Sequence, residues 1–278
     1  MLEAVKTRPA AKIAFTFFVI VISWWLYLFL TNNLTEHNRN IWAGFYGIIC
    51  LWGAYRGFVH SRTWGGLRSV IGRALFVLSL GLLAQEFGQI VFSYYNVFLG
   101  VSVPYPSLAD AGYFGSIILY IIGIVMLGRA VGMSFSRGHL GSQIQVVLIP
   151  AALLFVSYYF FLNGYEFDYS QPLKIFLDFG YPLGQAIYTS IAILTFSLSR
   201  NFVGGIMRNK VLLLIFAFVA QYAADSNFLF QSISGTWVSG NYGDVLYLLA
   251  YLFMTLGLIS FYDPNLGKLV FTPIVSAT

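Results

Sequence analysis

The chain has 278 residues, of which 59% are hydrophobic and only 9% are charged, and its formal net charge is +5. This composition is too apolar for an ordinary soluble domain and predicts a membrane protein. The single cysteine, Cys50, excludes a disulfide framework and a cysteine-based metal site within one chain.

Eight long apolar stretches follow one another along the chain. A helix of about 20 apolar residues is long enough to cross the hydrocarbon layer of a bilayer. We therefore predict transmembrane helices at residues 12–31, 40–60, 70–97, 109–131, 143–163, 173–198, 210–232 and 243–262. The first is interpreted as an uncleaved anchor, because its apolar core is too long for a secretory signal. The expected fold is all-α: one eight-helix membrane domain over residues 1–263 and a short tail over 264–278.

The basic residues indicate the topology of these helices. Thirteen of the 15 Lys and Arg residues fall on one side of the predicted membrane, and only Arg39 and Lys174 fall on the other. Short loops rich in Lys and Arg stay in the cytoplasm, so both termini are predicted to be cytoplasmic in a multi-pass protein of the cell membrane. Because topology explains the basic charge, we expect anionic lipid headgroups as its partner and no nucleic acid.

The acidic residues show the opposite asymmetry. Eight of the ten are predicted in the outer loops or in the outer half of the membrane, namely Glu36, Glu86, Asp110, Glu166, Asp168, Asp178, Asp225 and Asp244. Two of these eight lie far from any helix end: at 1.5 Å per residue, Glu86 is about 20 Å past Arg73 on the third helix, and Asp225 is about 22 Å past Lys210 on the seventh. Ionisable groups at such depth usually face the bundle interior or a water-filled cavity.

Helical spacing places further polar groups beside these two acids. Gln89, Ser93 and Asn96 follow Glu86 on one helix face, and Gln221 precedes Asp225 by one turn. Three interpretations are open: hydrogen bonds between helices with protonated carboxyls, a ligand or ion site, and a proton relay.

An Asp-x-x-Tyr signature recurs near the outer ends of three predicted helices. The pairs are Asp110 with Tyr113, Asp178 with Tyr181, and Asp244 with Tyr247. Copies separated by an even number of spans run parallel, so we predict an internal repeat of helical hairpins. Such parallel repeats are less typical of secondary transporters than inverted ones.

Helix capping offers a second explanation for two of these aspartates. Ser107 with Asp110, and Asn241 with Asp244, are spaced as an N-cap residue and an acid at the third helical position. Asp178 differs, because Pro172 is expected to start its helix and Pro182 frees backbone close to the carboxylate. A kinked polar notch is predicted there.

Several kinds of site have no support in the sequence. The three histidines, His37, His60 and His139, lie in or near loops on both sides, so no buried histidine metal site or haem pair is expected. Serine, histidine and acid do not converge at one depth, so no catalytic triad is expected. We predict a non-enzymatic protein without a cofactor or a metal.

One segment resembles a known family. Residues 88–96 (GQIVFSYYN) and 103–110 (VPYPSLAD) are similar to a pattern in bacterial and archaeal membrane regions that precede GGDEF-type diguanylate cyclases and histidine kinases. The segment Gly243–Tyr247 and the helix of Asp225 resemble the second half of that family. The resemblance implies a multi-helix sensory module. This chain has Asn96 where the family has an acid, and only about 15 residues follow the last helix, so we expect a separate signalling protein or other membrane subunit as its partner.

The sequence thus favours a membrane sensor or ligand-binding module with an outward-facing polar and aromatic pocket. Its candidate ligand-binding residues are Glu86, Gln89, Asp178, Tyr181, Gln221, Asp225, Tyr113 and Tyr247. A proton- or cation-coupled transporter is the alternative, and an intramembrane lipid hydrolase is a weaker third hypothesis.

Overall fold

The structure is a computed structural model that describes residues 8–130, 148, 150–156, 158–159, 165–202 and 208–262. Its regular secondary structure is helical throughout this part of the chain. The α-helices are α1 (Pro9–Leu30), α2 (Glu36–Tyr46), α3 (Ile48–Thr63), α4 (Val70–Ser93), α5 (Leu108–Ala130), α6 (Pro172–Phe202), α7 (Arg208–Ile233) and α8 (Tyr242–Ile259).

The predicted helices agree closely with these elements. Six of them correspond one to one to α1, α4, α5, α6, α7 and α8. The predicted helix at 40–60 is divided at Gly47 into α2 and α3. The predicted helix at 143–163 lies largely outside the described residues, of which 150–156 are helical, and the predicted tail at 264–278 lies outside them entirely.

Within the described residues, five segments are long and apolar enough to cross a membrane: Pro9–Leu30, Val70–Leu99, Leu108–Ala130, Asn209–Ser232 and Tyr242–Ser260. Each has the length that a bilayer requires of a helix. The chain therefore has the character of a multi-pass membrane protein.

Among the helices that the structure describes, six pack in a closed ring. Each of α3, α4, α5, α6, α7 and α8 packs against the next in chain order, and α8 packs back against α3. Outside the ring, α1 lies against α8 and α3, while α2 contacts α1 and α4. The most buried of the five candidate spans is α8. This closure leaves two ends of the bundle at which loops and side chains can enclose a space.

The two ends of the bundle differ in charge. We call one of them the acidic end; it is formed by the C-terminal ends of α4 and α7 and the N-terminal ends of α2, α5, α6 and α8. Side chains from all six of these helices line one cavity there. Most basic residues of the described chain lie toward the opposite end, namely Arg8, Arg56, Arg62, Arg68, Arg73, Arg129 and Lys210. The separation of charge predicted from the sequence is therefore present in the fold.

The chain leaves α4 in an unusual way at the acidic end. Residues Tyr94–Leu99 continue α4 as a π-helix, which stops at Gly100 with a φ of 63°. This left-handed conformation is easily adopted only by glycine. The turn sends residues 101–107 toward α5, and this loop contributes to the wall of the cavity.

Close helix contact depends on glycine between α4 and α5. A Cβ atom at Gly112 would lie 2.5 Å from the carbonyl oxygen of Ala84 and 2.6 Å from the amide nitrogen of Gly88. Helices in a membrane gain little from the hydrophobic effect between them, so close backbone packing of small residues stabilises their contact. At Gly115, one turn along the same helix, a Cβ atom would meet nothing within 4 Å.

These two glycines form a matched test of the packing. Gly112→Ala should lower the free energy of unfolding by about 1–3 kcal/mol, because backbone atoms of α4 would have to move. Gly115→Ala should leave stability unchanged or raise it by up to about 1 kcal/mol, since alanine favours the helix. Thermal unfolding of the two purified variants in one detergent measures the difference, and equal stability of the two would contradict this α4–α5 contact.

Candidate functional site

A cavity of about 600 Å³ lies at the acidic end. Its wall includes exposed residues of the loops, such as Ser102 and Pro104, so the cavity reaches the surface of the protein. It also includes side chains well inside the bundle, such as Asp225 and Tyr251. The volume is within the range of pockets that hold small molecules.

Tyrosine–aspartate hydrogen bonds across elements are the main polar feature of this cavity. Four lining aspartates each accept a hydrogen bond from a tyrosine on another helix or loop. The bonds run from Tyr181 to Asp110 (2.8 Å), from Tyr247 to Asp225 (2.5 Å), from Tyr46 to Asp244 (3.2 Å), and from Tyr105 and Tyr165 to Asp178 (2.7 and 2.6 Å). Bonds from a hydroxyl to an ionised carboxylate are about twice as strong as those between neutral groups.

Two of the three Asp-x-x-Tyr helices, α5 and α8, are each joined to two other helices by these bonds. On α5, Asp110 accepts from α6 while Tyr113 donates to Gln89 on α4 (2.9 Å). On α8, Asp244 accepts from α2 while Tyr247 donates to α7. A spacing of three residues places both side chains of a pair on the same face of their helix, about one turn apart. Each of the two side chains can therefore bond to a different helix.

Two glutamines complete a ring of hydrogen bonds around the cavity. Gln89 Oε1 accepts from Tyr113 (2.9 Å) and shares the single hydroxyl proton of Tyr46 (3.0 Å) with Asp244, and its Nε2 donates to the carbonyl of Ala43 (2.9 Å). On the far side, the Nε2 of Gln185 on α6 donates to Asp225 on α7. The ring therefore passes through α4, α2, α8, α7, α6 and α5 and returns to α4.

Asp178 belongs to the loop side of the cavity. Its two donors, Tyr105 and Tyr165, both precede a helix and lie outside the candidate spans. Burial and the bond to Asp178 raise the pKa of Tyr105, and the same two causes raise the pKa of Tyr165 to about 12. Both phenols consequently keep their protons, and remain donors to this carboxylate, at neutral pH.

Two of the aspartates also cap their helices. Asp110 Oδ2 accepts from the amide of Ser107 (2.7 Å), and Ser107 Oγ accepts from the amide of Ala109 (3.2 Å). Asp244 Oδ2 accepts from the amide of Gly240 (2.5 Å), while Asn241 accepts from the amide of Tyr242. One oxygen of each carboxylate thus caps the backbone, and the other binds a tyrosine of another helix.

The structure does not place all predicted site residues on the wall. Gln89, Tyr113, Asp178, Tyr181, Asp225 and Tyr247 line the cavity, together with the capping residues Ser107, Asp110 and Asp244. Asn241 is not among the lining residues. Gln221 is also absent from the wall, but its Nε2 supports Asp225 from behind with a bond of 2.9 Å to Oδ2.

Glu86 is the main departure from the sequence analysis. Its carboxyl is 3% exposed and is not part of the cavity wall. It lies against Gly47, where α2 meets α3, and its Oε2 has no hydrogen-bond partner among the described residues. Glycine at position 47 leaves room for this carboxyl, which is therefore held between helices and does not share the wall with Asp225.

Sequence reasoning missed several lining residues. Tyr46, Tyr105, Tyr165 and Gln185 supply donors to the aspartates, yet none belongs to an Asp-x-x-Tyr pair. Gln185 could have been found, since it follows Tyr181 by one helical turn. The two outer basic residues, Arg39 and Lys174, also line the cavity, so the exceptions to the charge asymmetry lie at the site.

The described part of the chain holds no group of three or more His, Cys, Asp or Glu side chains that could bind a metal ion. The four aspartates of the cavity each accept a hydrogen bond from tyrosine. These hydrogen bonds hold the tyrosine and aspartate side chains in fixed orientations around the space that a ligand would occupy.

Comparisons with protein-family models, curated proteins and solved structures give no significant match. The candidate site is therefore interpreted from its own geometry.

Removing one phenol should show how much the ring contributes to stability. Tyr247→Phe takes one of three donors from Asp225 and should lower the free energy of unfolding by about 1–3 kcal/mol. Tyr27→Phe, on the exposed face of α1, should change it by less than about 0.5 kcal/mol. Thermal or denaturant unfolding in detergent would measure both, and an equally small effect of the two would contradict a structural role for the Tyr247–Asp225 bond.

Proposed function

We propose that this protein is a membrane-embedded ligand-binding module of the sensor type, which acts through a separate protein partner. The observation that supports it is the 600 Å³ cavity at the acidic end, enclosed by hydrogen-bonded side chains from six helices. A pocket with aromatic walls and a few oriented polar groups is typical of small-molecule sites.

The ring of bonds provides a way for a ligand to affect the whole bundle. A molecule in the cavity that competes for one tyrosine or one carboxylate changes the link between two helices. A ligand shifts a conformational equilibrium only by its difference in affinity for the two states. Because each bond contributes only about 1–3 kcal/mol net, ligand contacts are sufficient to alter the ring. The resemblance to sensory membrane regions supports a signalling partner.

A proton- or cation-coupled transporter is the second candidate. The buried carboxyls Glu86 and Asp225 favour it, because such groups mark ion pathways in membranes. Against it, all acids of the described chain lie in the half of the bundle that includes the acidic end, and the cavity wall includes no residue from the basic end. A lipid hydrolase has less support: His60, the buried histidine of the described chain, lies on α3 toward the basic end.

A blocked cavity would test the binding function. Ser239 lines the cavity and Ser234, in the same loop, does not. We expect Ser239→Trp to fill the entrance and abolish thermal stabilisation by any small amphipathic molecule that stabilises the unmodified protein. Ser234→Trp should retain that stabilisation. Screening a panel of such molecules by thermal shift makes the comparison, and a hit unaffected by Ser239→Trp would show that binding occurs elsewhere.

A flux assay separates binding from transport. In proteoliposomes containing the purified protein, we expect no proton or cation flux above that of empty liposomes, with or without a stabilising ligand. Flux that disappears in Asp225→Asn would instead establish the transporter.

A further inference from the structure

A group of four tyrosines forms one wall of the cavity. We call Tyr46, Tyr113, Tyr247 and Tyr251 the tyrosine wall; they come from α2, α5 and α8, and all four line the cavity. The ring centroids of Tyr46 and Tyr251 are 5.8 Å apart, and those of Tyr247 and Tyr251 are 6.3 Å apart. Tyr46 and Tyr113 are joined through Gln89. Tyr46 and Tyr251 stack on one another and are each 2% exposed, so Tyr113 and Tyr247 supply most of the accessible aromatic surface of this wall. Such a surface attracts a cation through its negative quadrupole.

The hydrogen bonds of this wall strengthen that attraction. Tyr46 donates to Asp244 and Tyr247 donates to Asp225. A phenol that donates to a carboxylate is polarised, so its ring becomes richer in electrons. The carboxylate bonded to the phenol adds a direct Coulomb attraction for a cation in the cavity. The wall therefore combines aromatic side chains with the negative charge of Asp225 and Asp244, which themselves line the cavity.

The charges of the lining also favour a cation. Five acids and two basic residues line the cavity, a formal net charge of −3, and they are Glu36, Asp110, Asp178, Asp225, Asp244, Arg39 and Lys174. Both basic residues lie in the first turn of a helix, near the loops. Arg39 donates to the carbonyl of Leu34 (3.0 Å). Hydrogen bonds from Ser170 and Gln171 lower the pKa of the exposed Asp168, and the charge of Lys174 adds a smaller lowering effect. An anion in this cavity would face an excess of negative charge.

The geometry distinguishes an organic cation from a metal ion. A hard metal ion requires several free oxygen ligands at short distance. Here the carboxylate oxygens already accept hydrogen bonds from tyrosine, glutamine and backbone donors, and the described residues hold no metal-binding group. An alkylammonium head instead needs aromatic faces and diffuse negative charge, which the tyrosine wall supplies.

We propose that the cavity binds an organic ammonium cation, with its charged head against the tyrosine wall in front of Asp225 and Asp244. This inference rests on the proposed ligand-binding function and names the chemical class of its ligand. The apolar substituents of the cation would contact the aromatic faces.

Three probes of nearly equal shape test the charge class. Choline is the cation, 3,3-dimethylbutan-1-ol is its neutral counterpart, and 3,3-dimethylbutanoate is the anion. Calorimetric titration of the purified full chain in detergent should show choline binding at least about tenfold tighter than the neutral alcohol, the difference made by cation–π and charge attraction. The anion should bind more weakly than either.

Two variants test whether the preference for choline depends on Asp225, beside the tyrosine wall, and on Lys174, at the rim of the cavity near the loops. Asp225→Asn should weaken choline binding about tenfold while leaving the neutral alcohol unchanged, because only the cation senses the carboxylate. Lys174→Gln should strengthen choline binding by about twofold or more, since it removes a like charge from the rim. Lys174 is on the rim and outside the hydrogen-bonded ring, so this second variant keeps the test valid if Asp225→Asn does not fold.

The possible results separate this inference from the proposed function. Equal affinity for choline and the neutral alcohol would overturn the proposal that the ligand is a cation. So would tighter binding of the anion than of choline, if that binding is lost in Lys174→Gln. Either result would still be compatible with a ligand-binding cavity. Absence of choline binding would also overturn that proposal. If Ser239→Trp also fails to affect any stabilising molecule, the proposed function is overturned as well.

Discussion

The hydrogen bond from a tyrosine of one element to an aspartate of another is the interaction on which this structure depends. Carboxyl groups inside a membrane domain are costly unless other groups solvate them. Phenols suit this role, because each brings one donor on a rigid and largely apolar ring. With Asp110, Asp225 and Asp244 satisfied in this way, the acids can lie deep in the bundle and still connect helices.

This constraint explains why the cavity lies where it does. The acids are at the N-terminal ends of α5 and α8, where free backbone amides also bind them, and in the C-terminal half of α7. Their tyrosine partners are bulky and occupy the wall, so the space between opposite walls is not filled by side chains at this end. Toward the basic end, small residues and aliphatic side chains pack closely instead, as at Leu75, Leu78 and Ile124. The interior of the six-helix ring is thus closely packed toward the basic end and hollow at the acidic end, while a second pocket of about 390 Å³ lies beside α1 at the basic end.

The sequence predicts the helices and the sides of the bundle well, but not the pairing of its side chains. Apolar length identified α1, α4, α5, α6, α7 and α8, and charge separation identified the acidic end. The interruption at Gly47 was not predictable, since a lone glycine is tolerated in a helix. Glu86 lies as far along its helix as the sequence predicts, but its side chain points toward the space that Gly47 leaves and not into the cavity. Partners such as Tyr46 and Asp244, 198 residues apart, meet only through the closure of the helix ring.

Whether water reaches the interior of the bundle at the acidic end is the most direct measure of this account. Ser226 lines the cavity, whereas Ala223 on the same helix does not; Ala223 is exposed on the face that carries the exposed apolar Phe216, Val219 and Phe230, where lipid would cover it. The only cysteine of the chain, Cys50, is buried and gives a silent background. A water-soluble thiol reagent applied to native membranes should label Ser226→Cys and leave Ala223→Cys unlabelled. Labelling of Ala223→Cys alone would contradict a water-filled cavity framed by tyrosine and aspartate.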